Sequence, residues 1–457
     1  MDADLIPVEI PFRAAFAHAS AVRKTSAAVI VRVRDGDGRC GYGEGCPRDY
    51  VTGETVESAV AWLKDRIGPW SRRVRTLDDL RGLVESHEAE IDRNPSAFCA
   101  FELAMLDYLA RRDGVSVEAF LGLKGLSRPQ AVTAVSGSDN PLTFHLQAWR
   151  FWTAGMTAVK LKLSGDAARN LRRVKLLSRF ASVRLDGNNL WPDAESAVAG
   201  LMPLTDRVWA VEEPVKARDF AAMIRIQKET GLSIILDESL INRKDLETFL
   251  ALDPHPGAFV VNLRISKMGG LLRTIDLTRR LRARGFGRII GAQVGETSCL
   301  ARASLALALE AAPILGFEAG YGRHLLRRDA FTPSLTFDRH GVLALADFPT
   351  DAPGLGLEPS GLAFEMKAGP YQHHQGQYDV KAGRDGIVEE PVPAEEGGAE
   401  DEAEDVEGKI KPTKTGKNLA ELPPAGQRAL ASLGKKRQAS GDDRDLGEQK
   451  DGIGQEA

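Results

Sequence analysis

Two lysines separated by one residue sit in the apolar run AVKLKL at 158–163. Residues two apart on a strand leave the same side, so Lys160 and Lys162 share one face while Val159 and Leu161 pack on the other. Further on, short apolar runs end in acids: Asp186 in LDGN, Glu212 in VEEP and Asp237 in LDES. The successive steps from Lys162 to Asp186, Glu212, Asp237 and Arg264 are 24, 26, 25 and 27 residues. If each step is one strand–helix unit, these groups lie on adjacent strands at one height. Three carboxylates in one small volume repel one another strongly unless a cation intervenes. Magnesium, a hard ion with oxygen ligands and open positions for substrate, suits that set. Zinc would ask for His or Cys, which these strand ends lack. A single acid at a strand end is often no more than the cap of the next helix. Three at unit spacing opposite a lysine pair argue for a shared site. Two ammonium groups held together beside a metal ion would lower a lysine pKa toward that of a general base. Asn188, Glu213, Glu238 and Asn262 stand beside these positions; Glu296 follows the seventh run and Glu318 closes the eighth.

The elements that must position these groups are legible as an alternating pattern. Strands are expected near 131–135, 158–163, 182–186, 208–212, 233–237, 258–264, 287–291 and 314–318. Helical periodicity fills the gaps near 141–153, 166–179, 194–203, 217–230, 242–251, 270–284 and 298–311. Strict alternation implies an α/β fold with a parallel sheet, and eight strands are the number that closes a barrel with its site at the carboxyl ends. No G-x-G-x-x-G follows the first strand, so a doubly wound dinucleotide-binding sheet lacks its usual support. Residues 1–125 read instead as an α+β unit. Residues 29–33 alternate as a strand, DGDG at 35–38 is a turn, and 40–44 is a second strand. Asn94-Pro95 opens a helix whose buried face carries Phe98, Phe101, Met105, Tyr108 and Leu109. The barrel and a segment returning to the first unit occupy 126–368. From Gly369 the chain is dominated by Glu, Gly, Lys, Asp and Pro, which predicts a disordered tail over 369–457. Within it, 424–437 (PAGQRALASLGKKR) could form a short basic helix.

The 457 residues are 43% hydrophobic and 27% charged, enough apolar mass for more than one domain. Sixty basic residues against 64 acidic give a net charge of −4, without the basic excess of a nucleic-acid surface. No apolar run is long enough to span a membrane. The acidic start lacks a secretory pattern, and the four cysteines are scattered, so a reducing cytoplasm is the expected location.

Taken in order, these motifs resemble the enolase superfamily, in its muconate lactonizing enzyme subgroup (mandelate racemase/muconate lactonizing enzyme-like). The resemblance spans about 5–365. It rests on Lys160-x-Lys162, Asp186-x-Asn188, Glu212-x-Pro214, Asp237-Glu238-Ser239 and the SKMGG run at 266–270, with GYGE at 41–44 and YVTGET at 50–55 toward the amino end. It implies a (β/α)7β TIM-like barrel under an N-terminal α+β capping domain, and a homo-oligomer. It implies one Mg2+ held by Asp186, Glu212 and Asp237, with Lys162 removing the proton next to a small-molecule carboxylate and Lys160 tuning it while the ion stabilises the enediolate. Asn188 and Glu213 would stand close by, Glu238 would orient a neighbouring lysine, and Lys267 matches a peripheral lysine of the family. The loops at 14–21 and 46–52 would close over substrate.

Two departures bear on the reaction. Where the subgroup carries a lysine after strand six, this chain has Arg264, a poor base and a good fixed cation. That favours one-base chemistry, cycloisomerisation or syn elimination, with Lys162 as the base. A racemase or epimerase using a second base near Arg264 is the alternative. On strand eight, an Asp-x-Asp that binds a substrate ammonium in dipeptide epimerases is here Glu318-Ala319-Gly320, which does not support a dipeptide substrate. A non-catalytic relative acting through its tail would have no need of both lysines and all three acids.

Overall fold

The computed structural model describes residues 1–18, 21–123, 129–138, 140–343 and 351–361, with the side chains of 14–23 outside the description. The tail expected over 369–457, with its short basic helix, lies outside the described residues, as does part of the 14–21 loop.

The N-terminal segment builds a three-stranded antiparallel sheet from Asp2–His18, Ala21–Arg34 and Cys40–Gly45. The first two strands form a hairpin much longer than the run of alternation at 29–33 suggested. The turn after the second strand forms as read: Asp35 accepts from the Asp37 and Arg39 amides. Gly41, Gly43 and Gly45 line one side of the third strand because the helix Pro95–Arg112 lies directly on them. A Cβ at Gly43 would stand 2.2 Å from the Ala100 carbonyl oxygen. Pro95 occupies the first turn of that helix, where its missing N–H costs nothing. The Glu54 carboxylate accepts from the next two amides, Ser96 and Ala97, at 2.9 Å each.

The second part is a parallel sheet of seven strands in sequential order: Ala134–Ser136, Ala158–Lys162, Ser182–Asp186, Ala210–Glu212, Ser233–Leu236, Phe259–Leu263 and Gly287–Ile290. All seven helical patterns between them are present, Pro141–Thr153 and Ser298–Ala311 with the bounds expected. The eighth strand is reduced to a single parallel bridge, Ile290 to Phe317. The backbone there nonetheless bonds to both edges of the sheet. Ile290 donates to Gly316, Glu318 donates to Ile290, and Thr133 donates to Phe317. These bonds close the sheet at this position without a full strand. Val159, Leu161, Val183 and Leu185 are buried under the helices, as the alternation of these strands requires.

The two parts fall in one compact unit, and buried carboxylates join them. Glu102, on the N-terminal helix, accepts from the Leu271 and Leu272 amides, the first turn of the helix Leu271–Ala283. Gly270, at φ 107°, makes room for it: a Cβ there would meet the Glu102 carboxyl carbon at 2.5 Å. Glu44 does the same for Ser298–Ala311, taking the Thr297 amide and hydroxyl and the Leu300 amide. A carboxylate suits an N-terminus because it satisfies orphan amides and faces the positive end of the dipole. Arg302 and Glu118 add a fully buried two-pronged ion pair. All four cysteines are free thiols, and no helix among the described residues is long and apolar enough to cross a membrane.

Candidate active site

Register places the chemistry. Lys162 is the neighbour of Asp186 across the second and third strands, and Asp186 is the neighbour of Glu212 across the third and fourth. Asp237 follows the fifth strand directly. The structure therefore brings together Lys160, Lys162, Asp186, Glu212, Asp237, Arg264, Lys267 and Glu318, all at the carboxyl ends, as the spacing implied.

Their contacts divide the cations by role. Lys160 is buried, with its Nζ 2.9 Å from Glu318 Oε2, 3.5 Å from Glu212 Oε2 and 3.7 Å from Asp186 Oδ2. Burial opposes its charge, yet Glu212, Glu318 and Asp186 together outweigh that and raise its pKa above the usual lysine value. The expectation that two neighbouring ammonium groups depress each other is thus not met at Lys160. Three carboxylates face it, and their attraction exceeds the repulsion. Lys267 is fully buried and spends its three N–H donors on Asp237 O, Asp237 Oδ1 and Asn262 O, at 2.6 to 2.9 Å. Arg264 donates to Asp237 Oδ2 and, at 3.2 Å, to Gln293 Oε1. Burial again opposes its charge, but Asp237, Glu238 and Glu212 hold its pKa above even the arginine value. Lys162 differs from all three. Its side chain keeps 23% exposure, with Asp186 Oδ2 at 3.3 Å and Asn188 Oδ1 at 3.5 Å.

The acids are unequal too. Burial resists charge on Asp186, but Lys162 and Lys160 hold its carboxyl down at about 2. Burial pushes Glu212 up to about 7 against the pull of Lys160. Asn262 donates to Glu212 Oε1 at 2.8 Å, while Glu212 Oε2 and Asn262 Oδ1 are buried without a hydrogen-bond partner. That buried oxygen, approached by Lys160 at 3.5 Å but without a hydrogen bond, fits a hard cation as one of three all-oxygen acids. As the side chains stand, no three acids, histidines or cysteines among the described residues converge closely enough to hold one. Lys160 stands between Asp186 and Glu212, and Arg264 between Glu212 and Asp237.

The neighbouring residues sort differently from the sequence reading. Asn188, in the left-handed region at φ 46°, donates to Asp186 Oδ1 at 2.7 Å. Glu213 turns away and ties the end of the fifth strand, accepting from the Asp237 and Ser239 amides and the Ser239 hydroxyl. Glu238 makes no hydrogen bond or ion pair with a lysine among the described residues, so its expected orienting role is not seen; Asp237 holds Lys267 instead. Glu296 closes its own loop through the Gln293 amide, and burial pushes it up to about 8.

Arg184 was missed. It is buried on the third strand, on the same face as Asp186, and donates to Glu318 Oε1 and Thr133 Oγ1. The alternation S-V-R-L-D carries the signal: an arginine two positions before an inward-facing aspartate also faces inward. Glu318 is thereby clasped on both oxygens, and its pKa falls to about 2.

The loops of the N-terminal part reach this end of the sheet. The Cys46 amide donates to Ser266 Oγ, Arg48 donates to Val294 O and Ser26 Oγ, and Ser26 Oγ donates to Gly295 O. Arg13 donates to Arg323 O, while Arg323 and His324 themselves are exposed.

Residues 144–363 match the family model described as enolase C-terminal domain-like. An N-succinyl-L-Arg/Lys racemase of Bacillus cereus is 23% identical over 365 residues, 78% of this chain and 94% of the relative. A muconate lactonizing enzyme structure from Klebsiella pneumoniae is 27% identical with TM-score 0.66, covering 78% of this chain and 96% of the other. A dipeptide epimerase from Enterococcus faecalis, complexed with Mg and the dipeptide L-Leu-L-Tyr, shares the fold at 22% identity and TM-score 0.67, over 78% and 98% of the two chains. With its alternating sheet, its lysine pair and its row of strand-end acids, the chain carries an enolase C-terminal domain-like region at 144–363 and is similar to mandelate racemase/muconate lactonizing enzyme-like proteins of the enolase superfamily.

Proposed function

We propose that the protein is an isomerase or lyase that removes the proton next to a small-molecule carboxylate, with Lys162 as its single base, in a (β/α)7β barrel capped by the N-terminal part. The observation that carries this is the difference among the site's cations. Lys160 and Lys267 are buried and saturated by carboxylate and carbonyl oxygens, and Arg264 is held protonated, so only Lys162 has both an amine and an open approach. A proton acceptor must be reachable by substrate and able to exist as the free base. Asn188 and Asp186 hold the Lys162 amine in place. Lys160 and Arg264 supply fixed positive charge where negative charge develops as the proton leaves. Asp186, Glu212 and Asp237 are the residues that would hold a magnesium ion, which would add Lewis-acid stabilisation of that same charge.

A second reading, racemisation or epimerisation, is favoured by the names of relatives such as the N-succinyl-L-Arg/Lys racemase. It needs a base on each substrate face, and Arg264 is a poor one. Solvent deuterium exchange into a panel of carboxylates, with Mg2+ added, tests both. Lys162→Ala should lose exchange by roughly a hundredfold or more; exchange as fast as the parent would remove Lys162 as the base. Products of retained configuration support one-base chemistry, and rapid interconversion of enantiomers overturns it.

A further inference from the structure

Between the helix Leu77–Ser86 of the N-terminal part and the helices Arg243–Leu250 and Leu271–Ala283 of the second part lies a cavity of about 510 Å3. That volume falls in the range of about 300–1,000 Å3 typical of small-molecule sites. None of the lysines, arginines or acids described at the strand ends lines it. Its apolar wall includes Val84, Leu121, Ile241, Met268, Leu272 and Ile275, and five arginines and three acids stand around it. Three of those arginines are already engaged: Arg81 with Asp78, Arg279 with Glu310 and Arg280 with Asp276. The other two have capacity left. Arg243, in the first turn of its helix, stays 3.8 Å from Glu88 and 3.7 Å from Glu247 and makes no hydrogen bond among the described residues. Arg273 gives Nη2 to Asp92, but its Nη1 is buried without a hydrogen-bond partner, on a side chain only 9% exposed. A buried donor left unmet is costly, so an oxygen that met it would be bound with gain.

We propose that this cavity is a second ligand site, which takes a small amphipathic carboxylate with its apolar body on the wall and its carboxylate on Arg273 and Arg243. A guanidinium fork matches a carboxylate in shape and charge. The positive end of the helix Arg243–Leu250 favours an anion at the same place. The three acids on the same rim disfavour a doubly charged group such as phosphate, and an amine would face the arginines. The site is distinct from the strand-end acids but adjoins a loop they depend on. Met268, in the wall, directly follows Lys267, whose amine ties Asp237 to the end of the sixth strand of the parallel sheet. A Cβ at Gly269 would stand 2.9 Å from Arg273 Nη1, so the guanidinium lies against that same loop. An occupant therefore touches the segment that holds one of the catalytic end's cations.

Calorimetric titration of the full chain with octanoate, octylamine and inorganic phosphate tests this. The expected result is saturable octanoate binding with a Kd of about 1 mM or below, and binding of the other two at least about tenfold weaker. Arg243→Gln should weaken octanoate about tenfold, the usual effect of losing a hydrogen bond to a charged group. Val84→Trp fills the cavity without touching a charge and should abolish binding; circular dichroism verifies that each variant is folded. Lys162→Ala should leave octanoate binding unchanged, which separates this cavity from the catalytic end. A folded parent that shows no saturable octanoate binding up to about 10 mM overturns the proposal. So does undiminished binding in both Arg243→Gln and Val84→Trp, or octylamine bound as tightly as octanoate. Binding lost in Lys162→Ala but kept in Val84→Trp would place octanoate among the strand-end residues and overturn it as well.

Discussion

Arg184 offers the sharpest test of how the site is held together. Replacing it by leucine removes one of the two cations that clasp Glu318 and leaves Oε1 of a buried carboxylate without its partner. Losing one member of a buried pair costs about 3–5 kcal/mol, because the remaining charge is desolvated and uncompensated. Lys160 still holds Oε2 at 2.9 Å, so the lower end, about 3 kcal/mol, is the expected loss. The cost should lie in the unpaired charge rather than in lost packing. Arg184→Leu/Glu318→Leu should therefore recover most of it, with a coupling energy of about 2 kcal/mol or more. Denaturant titrations of the parent, the two single variants and the double variant close the cycle. A single-variant loss under about 1 kcal/mol, or a coupling near zero, would show that water solvates Glu318 and that the clasp is incidental.

Other outcomes follow from the same contacts. Arg264→Lys places a group able to lose its proton where the parent has a fixed cation, so solvent exchange should be accompanied by scrambled product configuration, read by chiral chromatography. Burial pushes Glu102 up to about 8 from an ordinary 4.5, against the opposing pull of the Leu272 and Leu271 amides. The folded chain then keeps a proton that the unfolded chain releases, and stability falls as pH rises from about 4.5 to about 8. Glu102→Gln should flatten that slope in thermal melts across the range, while costing about 1–2 kcal/mol at acidic pH for the amide it can no longer satisfy.

Much of this was readable from the chain because the repeating unit is so regular. A step of about 25 residues can only be one strand and one helix, and the acids at its ends fall at one level whatever the loops do. Arg184 escaped because an arginine inside a strand reads as an outward residue until its register with Asp186 is considered. What Glu213 and Glu238 contact was not legible for a different reason. They are adjacent to ligand-type acids, but the chain turns at the strand end: Glu213, at φ 40°, points back to cap the next strand. Nothing in residue type signals such a turn. The eighth strand was legible as an apolar run but not as a single bridge, since bridge count depends on how Gly316 and its neighbours bend. The links that seat the N-terminal part, Glu44 and Glu102 on distant helix starts, are invisible in one sequence because their partners lie 169 or more residues away.

The pairing of acids with cations also bears on how the protein would respond to loss of the magnesium ion proposed for this site. Asp186 faces Lys160 and Lys162, Glu212 faces Lys160 and Arg264, and Asp237 faces Arg264 and Lys267. Each carboxylate has an internal counter-charge, so chelation leaves no buried charge alone. Stability should then fall only by the linkage of binding, about 2.7 kcal/mol if the ion had been at a hundred times its Kd, read in denaturant titrations. Arg264→Leu removes the shared partner of Glu212 and Asp237. In that variant chelation should cost more than in the parent, because the ion would have become their replacement. Equal losses on chelation in the parent and in Arg264→Leu would refute the reasoning, since Arg264 would then contribute nothing to neutralising those two acids.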